Sequence, residues 1–229
     1  VYREKKIKSK LLITDADQVL ANDEYNSLDF LSSNWDQSFG VDFAKVLGYI
    51  KEYNAILTEH INGKFFFKAY RKSIFFNKFR GKDRDPIMLG LYNIGKSLYA
   101  FHSLNETNAI FRGKEIFSKL DSYISYLKNC DVNSNYLENL YEEILEYKNF
   151  EAPSSTTNNL KGIDVRQIFI NKSNTLSIID PGKITRGFRE VDLARFIVTC
   201  RILYWGTIAV FLKITPTPSY EQKFLTGYF

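Results

Sequence analysis

Residues 176–182 read LSIIDPG, an apolar run that ends on a carboxylate and a tight turn. A second apolar run, IFI at 168–170, precedes it, and the polar residues 171–175 between the two runs are typical of a turn. The pattern predicts a β-hairpin within residues 163–182, with Asp180 at its end. A carboxylate at the end of a hairpin is held rigidly, and an Asp in this place can cap the turn.

Long helices are predicted on both sides of the hairpin from apolar residues at helical spacing. They are predicted over residues 65–79, 87–104, 110–150 and 190–212. The polar stretch 151–159, which is rich in Ser, Thr and Asn, is predicted to be a loop, and a loose tail is predicted after Pro216.

The first ~60 residues have the pattern of short strands around one helix, which predicts a small α/β unit. A charged strand is expected at residues 1–7 and a helix capped by Asp15 or Asp17 after it. Two short strands are expected over 44–49 and 54–60, and Asn62-Gly63 ends the unit.

The composition belongs to an ordinary globular protein. Of 229 residues, 45% are hydrophobic, 25% charged and 16% aromatic, which excludes general disorder and collagen-like classes. The net charge of +5 favours anionic partners such as phosphates but is too small and too dispersed to indicate nucleic-acid binding.

The cysteine content and the chain's apolar stretches predict a cytoplasmic protein. Cys130 and Cys200 are too few for a disulfide framework or a zinc site, and the first residues lack the pattern of a signal peptide. The most apolar stretch, 196–212, contains Arg201 and is shorter than the ~20 residues that cross a bilayer, so no membrane span is expected.

This order of elements resembles the aminoglycoside phosphotransferase and choline kinase-like branch of the protein-kinase-like fold. The resemblance covers nearly the whole chain and rests on EYNSLDFL at 24–31, VLGY through ILTEHING at 46–63, IGKSLYAFHSL at 94–104, and IIDPG at 178–182 followed by EVDLARF at 190–196. It implies an α+β, two-lobed fold. A small mixed N-terminal lobe would cover residues 1–61, and a larger, mainly helical C-terminal lobe residues 62–229.

The resemblance also implies a nucleotide site. Glu24 would face a phosphate-binding lysine, for which Lys5, Lys6 and Lys8 are candidates and Lys6 is preferred, although a solvated basic strand is an open alternative. The backbone of Thr58, Glu59 and His60 would hold the adenine.

The implied cofactor is Mg²⁺ with ATP or another nucleoside triphosphate. Counting back from Asp180 by the family's spacing places Gln167 at a metal-binding Asn, Gly162 at the catalytic Asp and Leu160 at a His. Asp180 and Gln167 are therefore the candidate metal ligands. Asp192 resembles the family's buried Asp that braces the catalytic loop.

Gly162 is the main departure from the family's pattern, because glycine cannot accept a proton or orient a hydroxyl. Asp164 is the candidate replacement for the missing base, with Arg166 nearby to meet phosphate. The alternative is a surface ion pair between Asp164 and Arg166. The family's phosphate-covering turn also has no counterpart here; either it is absent, or the strands that carry it precede Val1.

Two functions follow from these observations. The first is an ATP-dependent phosphotransferase acting on a hydroxyl of a small molecule or glycan, with weak activity if Asp164 is a poor substitute. The alternative is an inactive pseudokinase that serves as a nucleotide-binding or protein-interaction scaffold. The expected partners are a nucleotide and a hydroxyl-bearing acceptor, or a protein in the second case, without nucleic acid.

Overall fold

The computed structural model describes residues 8–10, 16–77, 86–130, 134–171, 173–204 and 218–229. Its helices are α1 (Ala16–Asn34), α2 (Phe66–Asn77), α3 (Pro86–Ser103), α4 (Gly113–Asn129), α5 (Ser134–Leu145), α6 (Arg189–Tyr204) and α7 (Pro218–Tyr228). Its strands are β1 (Lys8–Lys10), β2 (Val41–Phe43), β3 (Val46–Ile50), β4 (Ala55–Thr58), β5 (Gly63–Phe65), β6 (Thr107–Arg112), β7 (Glu151–Leu160), β8 (Ile168–Asn171), β9 (Leu176–Ile178) and β10 (Ile184–Phe188).

The chain divides into two compact units. The first comprises Val1–Asn105 and Thr157–Phe229, and the second comprises Glu106–Thr156. The division into lobes at residue 61 stays a prediction.

An antiparallel sheet in the order β1-β4-β3 lies in the first unit, as the predicted strands at 44–49 and 54–60 imply. The strand predicted at 1–7 lies outside the described residues. Helix α1 contacts β3 and buries Leu28 and Leu31, which are one turn apart on the same side of the helix. The helix and the two short strands of this unit were therefore predictable from local sequence patterns.

A second sheet, in the order β2-β9-β8-β5, contains the predicted hairpin. Strands β8 and β9 pair antiparallel with Ile168 opposite Ile178, and β2 pairs parallel to β9 with Val41 opposite Leu176. Ile168, Ile178, Val41 and Leu176 are all buried. The buried sheet positions Asp180 two residues beyond the end of β9.

The C-terminal residues form helix α7, so the prediction of a loose tail after Pro216 is wrong. Pro218 occupies the first position of α7, where a helix tolerates proline, and Phe224 and Tyr228 are buried four residues apart. A Cβ at Gly95 of α3 would meet the carbonyl oxygen of Phe224, so a glycine is needed where the two helices pack.

The second unit contains β6, α4, α5 and the first part of β7. Residues 151–159 were predicted as a loop and 110–112 as helix, and both predictions are wrong, because β6 and β7 pair antiparallel along their length. The Ser and Thr residues that suggested a loop also favour strands when a partner strand is present. The hydroxyls of Thr107 and Thr156, for example, lie 2.9 Å apart across the pair.

No helix in the described ranges is both long enough and apolar enough to cross a membrane. The helix predicted over 190–212 is present as α6 up to Tyr204, and residues 205–212 lie outside the described part of the chain.

Candidate functional site

A cavity of about 530 Å³ in the first unit brings together most of the site residues that the sequence predicted. Its lining combines residues of α1, β4, β8 and the segments that follow β4 and β9. The predicted residues in the lining are Glu24, Thr58, Glu59, His60, Gln167 and Asp180.

The segment after β4 forms one wall of the cavity. Glu59 N donates to Lys45 O at 2.9 Å, and Lys45 N donates to Glu59 Oε1 at 3.4 Å, so the start of the segment is tied to β3. Within the described chain, no backbone hydrogen bond involves His60, Ile61 or Asn62. Their peptide groups are therefore available to a ligand with hydrogen-bonding edges.

Gln167 and Asp180 belong to two segments of the lining that are joined by a backbone hydrogen bond. Ile179 N donates to Gln167 O at 2.9 Å, which holds the residue before Asp180 against the start of β8. Both side chains are half-buried and both line the cavity.

The oxygen donors of Gln167 and Asp180 fit a magnesium ion that is held partly by a nucleotide. Among the described residues there is no cluster of three or more His, Cys, Asp or Glu that could hold a metal by itself. Mg²⁺ commonly binds one or two protein carboxylates and completes its shell with phosphate oxygens and water. A single carboxylate and a neighbouring amide oxygen satisfy that requirement.

Glu24 is positioned by contacts of its helix, α1, with the segment that follows Asp180. Lys183 Nζ lies 2.6 Å from Asp23 Oδ2, and Ile184 N donates to Ser27 Oγ at 3.0 Å. These contacts lie on either side of Glu24 in the sequence and hold its helix beside the cavity.

Of the three lysines that are candidates to pair with Glu24, only Lys8 lies in a described range. Lys5 and Lys6 lie outside the described residues. The backbone of Lys8 is part of β1, where it is in register with Thr58, a lining residue of the cavity.

Asp164 and Arg166 do not line this cavity but bind each other. Asp164 caps the 3₁₀ turn Val165–Gln167 by accepting a hydrogen bond from Arg166 N at 2.8 Å. Arg166 Nε lies 3.0 Å from each carboxylate oxygen, and this pairing raises the pKa of Arg166 above its usual range. The Asp164 side chain is largely buried and the Arg166 side chain is 60% exposed. The carboxylate is thus occupied by a neighbouring cation.

Gly162 lies against the backbone of the turn that carries Asp180. Its N–H donates to Pro181 O at 2.7 Å. A Cβ built on Gly162 would lie 2.6 Å from Pro181 C, 2.7 Å from Asp180 O and 2.7 Å from Gly182 N. Since these are backbone atoms, no side chain fits at this position without moving the turn.

Asp192 braces the loop that contains Gly162, as the resemblance implies. Its fully buried carboxylate accepts a hydrogen bond from Leu160 N at 2.6 Å, while Arg195 Nη1 donates to Leu160 O at 3.0 Å. His102 Nε2 lies 3.3 Å from Asp192 Oδ2, and its Nδ1 lies 2.7 Å from the hydroxyl of Tyr228. The sequence pattern gave no indication of the contributions of Arg195 and Tyr228.

Two aromatic residues, Phe65 and Phe169, also line the cavity. Their rings lie 4.4 Å apart, centroid to centroid, across the β5–β8 pair. Phe66 is buried, whereas Phe65 is 39% exposed. Nothing in the sequence indicates that β5 pairs with β8, so no local signal could have found this contact.

Comparison with known proteins identifies the fold. Neither a model of a known protein family nor a curated protein sequence matches the chain. Solved structures do match it. One is a complex of gentamicin with APH(2″)-IIa, with a TM-score of 0.60 and 15% identity, and another is the ADP-bound aminoglycoside phosphotransferase APH(2″)-Ib, with a TM-score of 0.59 and 15% identity. Each match covers 98% of this chain and 71% of the other protein's chain. The choline kinase LicA from Streptococcus pneumoniae matches 99% of this chain over 68% of its own (TM-score 0.53, 16% identity).

The chain therefore has the fold of the aminoglycoside phosphotransferases and choline kinase. The prediction of a protein-kinase-like α+β fold, made from four short stretches of sequence, is confirmed.

Proposed function

We propose that this protein binds a nucleoside triphosphate with Mg²⁺ and transfers its terminal phosphoryl group to a hydroxyl of a small molecule or glycan. The observation that supports this proposal is the single cavity that collects Glu24, the segment 58–60, Gln167 and Asp180. Structures of the same fold have been solved with ATP or ADP bound, which supports a nucleotide as the ligand.

Each part of the cavity has a role in this proposal. The backbone of the segment 58–61 would meet the edge of the base, since the peptide groups of His60 and Ile61 make no backbone hydrogen bond with other described residues. Glu24 would orient a lysine, preferably Lys6, toward the phosphates. Asp180 and Gln167 would hold Mg²⁺, which neutralises charge on the phosphate oxygens.

The acceptor hydroxyl must lose its proton, and Asp164 is the proposed base. To act, its carboxylate would have to exchange its contact with Arg166, whose long exposed side chain could then bind phosphate. Phosphoryl transfer depends largely on positioning and charge stabilisation, so a weak base is compatible with slow transfer.

A second candidate function is nucleotide binding without transfer. It is favoured by Gly162, where the packing of the Asp180 turn leaves no room for a side-chain base. In that case the protein would use the bound nucleotide to stabilise a surface that binds another protein.

Thermal unfolding with ATP, in the presence and absence of Mg²⁺, tests the nucleotide site. A ligand at a hundred times its dissociation constant stabilises a protein by about 2.7 kcal/mol, which is readily measured. We expect a Mg²⁺-dependent rise in Tm that is lost in Asp180→Asn and kept in Asp29→Asn, a matched change at an exposed carboxylate of α1. The absence of a shift with any nucleoside triphosphate would contradict both candidate functions.

Turnover separates the two candidates. ATP consumption in the presence of hydroxyl acceptors, lost in Asp164→Asn while the ATP-induced Tm shift is retained, would support the transferase. A Tm shift without acceptor-dependent ATP consumption would support nucleotide binding alone.

A further inference from the structure

The segment that follows the cavity wall carries an unusual charge pattern. Residues 63–73 read GKFFFKAYRKS, with the cations Lys64, Lys68, Arg71 and Lys72 and no carboxylate. All of these cations are exposed. On α2, Lys68 lies three residues before Arg71 and four before Lys72, and like charges at these spacings destabilise a helix.

Aromatic rings hold two of these cations, and carboxylates do not. Lys68 Nζ lies 5.6 Å from the centroid of the Phe65 ring, and the guanidinium of Arg71 lies 5.5 Å from that of Phe67. Over the described ranges, no ion pair involves Lys64, Lys68 or Arg71. We call these three residues the basic rim.

Some other surface cations of this protein pair with carboxylates. Lys183 pairs with Asp23 at 2.6 Å, and Arg201 pairs with Glu221 at 2.6 Å. The basic rim differs from these two cations because no carboxylate of the described residues pairs with it, so its positive charge can attract an external anion.

Lys68 joins the basic rim to the cavity through Phe65, and Arg71 follows Lys68 by three residues on the same side of α2. Gly63 and Phe65 line the cavity on either side of Lys64, and the Phe65 ring contacts both Phe169 inside the lining and the ammonium of Lys68 outside it. A ligand at the cavity mouth would therefore meet an aromatic surface and then a positively charged one.

We infer that the acceptor is an anionic, hydroxyl-bearing molecule, such as a phosphorylated or acidic saccharide, whose negative groups bind Lys68 and Arg71. This inference rests on the proposed transferase function and names the chemical class of its second substrate. The cavity itself contains the carboxylates of Glu24, Glu59 and Asp180, so an anionic acceptor needs cations at the rim to offset them.

The inference is tested by titrating the full chain with a fluorescent heparin hexasaccharide, in the presence of ATP and Mg²⁺. Neutral maltohexaose of the same length and the polycation gentamicin are the comparison ligands. We expect binding of the heparin hexasaccharide alone, weakened by added salt.

Charge reversal identifies the binding residues. In Lys68→Glu/Arg71→Glu the affinity for the heparin hexasaccharide should fall about tenfold or more, the order expected on losing two exposed charge pairs. The matched control is Lys114→Glu/Lys119→Glu, which makes the same change of net charge at exposed residues of α4 and should keep the affinity. Equal losses in both variants would overturn the inference, because attraction by net charge would then explain the binding.

Thermal shifts with ATP and Mg²⁺ separate failure of this inference from failure of the proposed function. The inference is overturned if ATP raises Tm but the hexasaccharide does not bind, or if maltohexaose or gentamicin binds more tightly than the hexasaccharide. Either result would still support the nucleotide site. If the hexasaccharide binds but ATP with Mg²⁺ does not raise Tm, the protein has no phosphoryl donor. The inference that the basic rim binds a phosphoryl acceptor is then overturned.

Discussion

Gly162 has a packing role that is independent of any lost catalytic residue. Its N–H binds Pro181 O, and its α-carbon faces the backbone of Asp180, Pro181 and Gly182. The family's motif places an Asp at this position, so the sequence alone suggests only a missing base. The structure adds that the loop and the turn that carries Asp180 approach each other too closely for a side chain.

The first prediction is that Gly162→Ala destabilises the protein and weakens its Mg²⁺-dependent nucleotide binding together. A Cβ within 2.8 Å of three backbone atoms must displace the turn that carries Asp180. Overpacking of this kind costs about 1–3 kcal/mol. Urea unfolding measures the free energy of unfolding, and the ATP-induced Tm shift measures the effect on the site.

Gly187→Ala is the control for this prediction, because a Cβ there has its nearest neighbour, the Asn159 side chain, at an ordinary distance of 3.6 Å. Its free energy of unfolding should change by less than about 0.5 kcal/mol. Gly162→Asp should likewise give no gain in ATP turnover. A stable Gly162→Asp variant with faster turnover would mean that the loop relaxes and that glycine simply replaced a base.

Individual elements differ in how far the sequence predicts them. The β8–β9 hairpin and α1 were predicted because their apolar spacing and turn residues are local. Strand β7 was mistaken for a loop because its Ser, Thr and Asn residues become a strand only through pairing with β6, some fifty positions away in the sequence. The parallel pairing of β2 with β9 was invisible for the same reason.

The residues of the candidate site also differ in whether a local sequence pattern predicts them or a distant contact determines them. Glu24, Asp180 and the segment 58–60 were found because the resemblance rests on short motifs that contain them. The partner of Asp164 was foreseen only as an alternative, because the direction of a side chain in a loop depends on its three-dimensional neighbours. The contact between the rings of Phe65 and Phe169 could not be predicted for the same reason.

The second prediction concerns the pairing of α3 with α7. Gly95→Ala should lower the free energy of unfolding by about 1–3 kcal/mol, because its Cβ would meet the Phe224 carbonyl and lie 2.9 Å from Tyr228 N. In a domain of this size, each kcal/mol lowers Tm by about 2–4 °C. Differential scanning calorimetry measures the change.

Gly48→Ala in β3 provides the comparison for Gly95→Ala. A Cβ at Gly48 has no heavy atom of the described residues within 4 Å, so Tm should stay within about 1–2 °C of the parent protein. Equal Tm values for Gly95→Ala and Gly48→Ala would show that α7 can shift on α3 at no cost.

At the scale of the whole molecule, the candidate site is built from residues of the first unit. Every residue that lines the 530 Å³ cavity belongs to the first unit. The second unit, Glu106–Thr156, carries more carboxylates than cations, so the positive excess of the chain resides in the first unit. Nucleotide binding should therefore depend on the first unit alone.

The third prediction is that the second unit can be shortened without loss of the nucleotide site. Thr107 and Thr156 are opposite each other in the β6–β7 pair, with their hydroxyls 2.9 Å apart. Replacing residues 108–155 by Asn-Gly would close the pair with a two-residue turn, which suits antiparallel strands. We expect the ATP-induced, Mg²⁺-dependent Tm shift to equal that of the full chain, because no lining residue is removed. A folded shortened protein, judged by circular dichroism, that shows no such shift would mean that the second unit is needed to form the site.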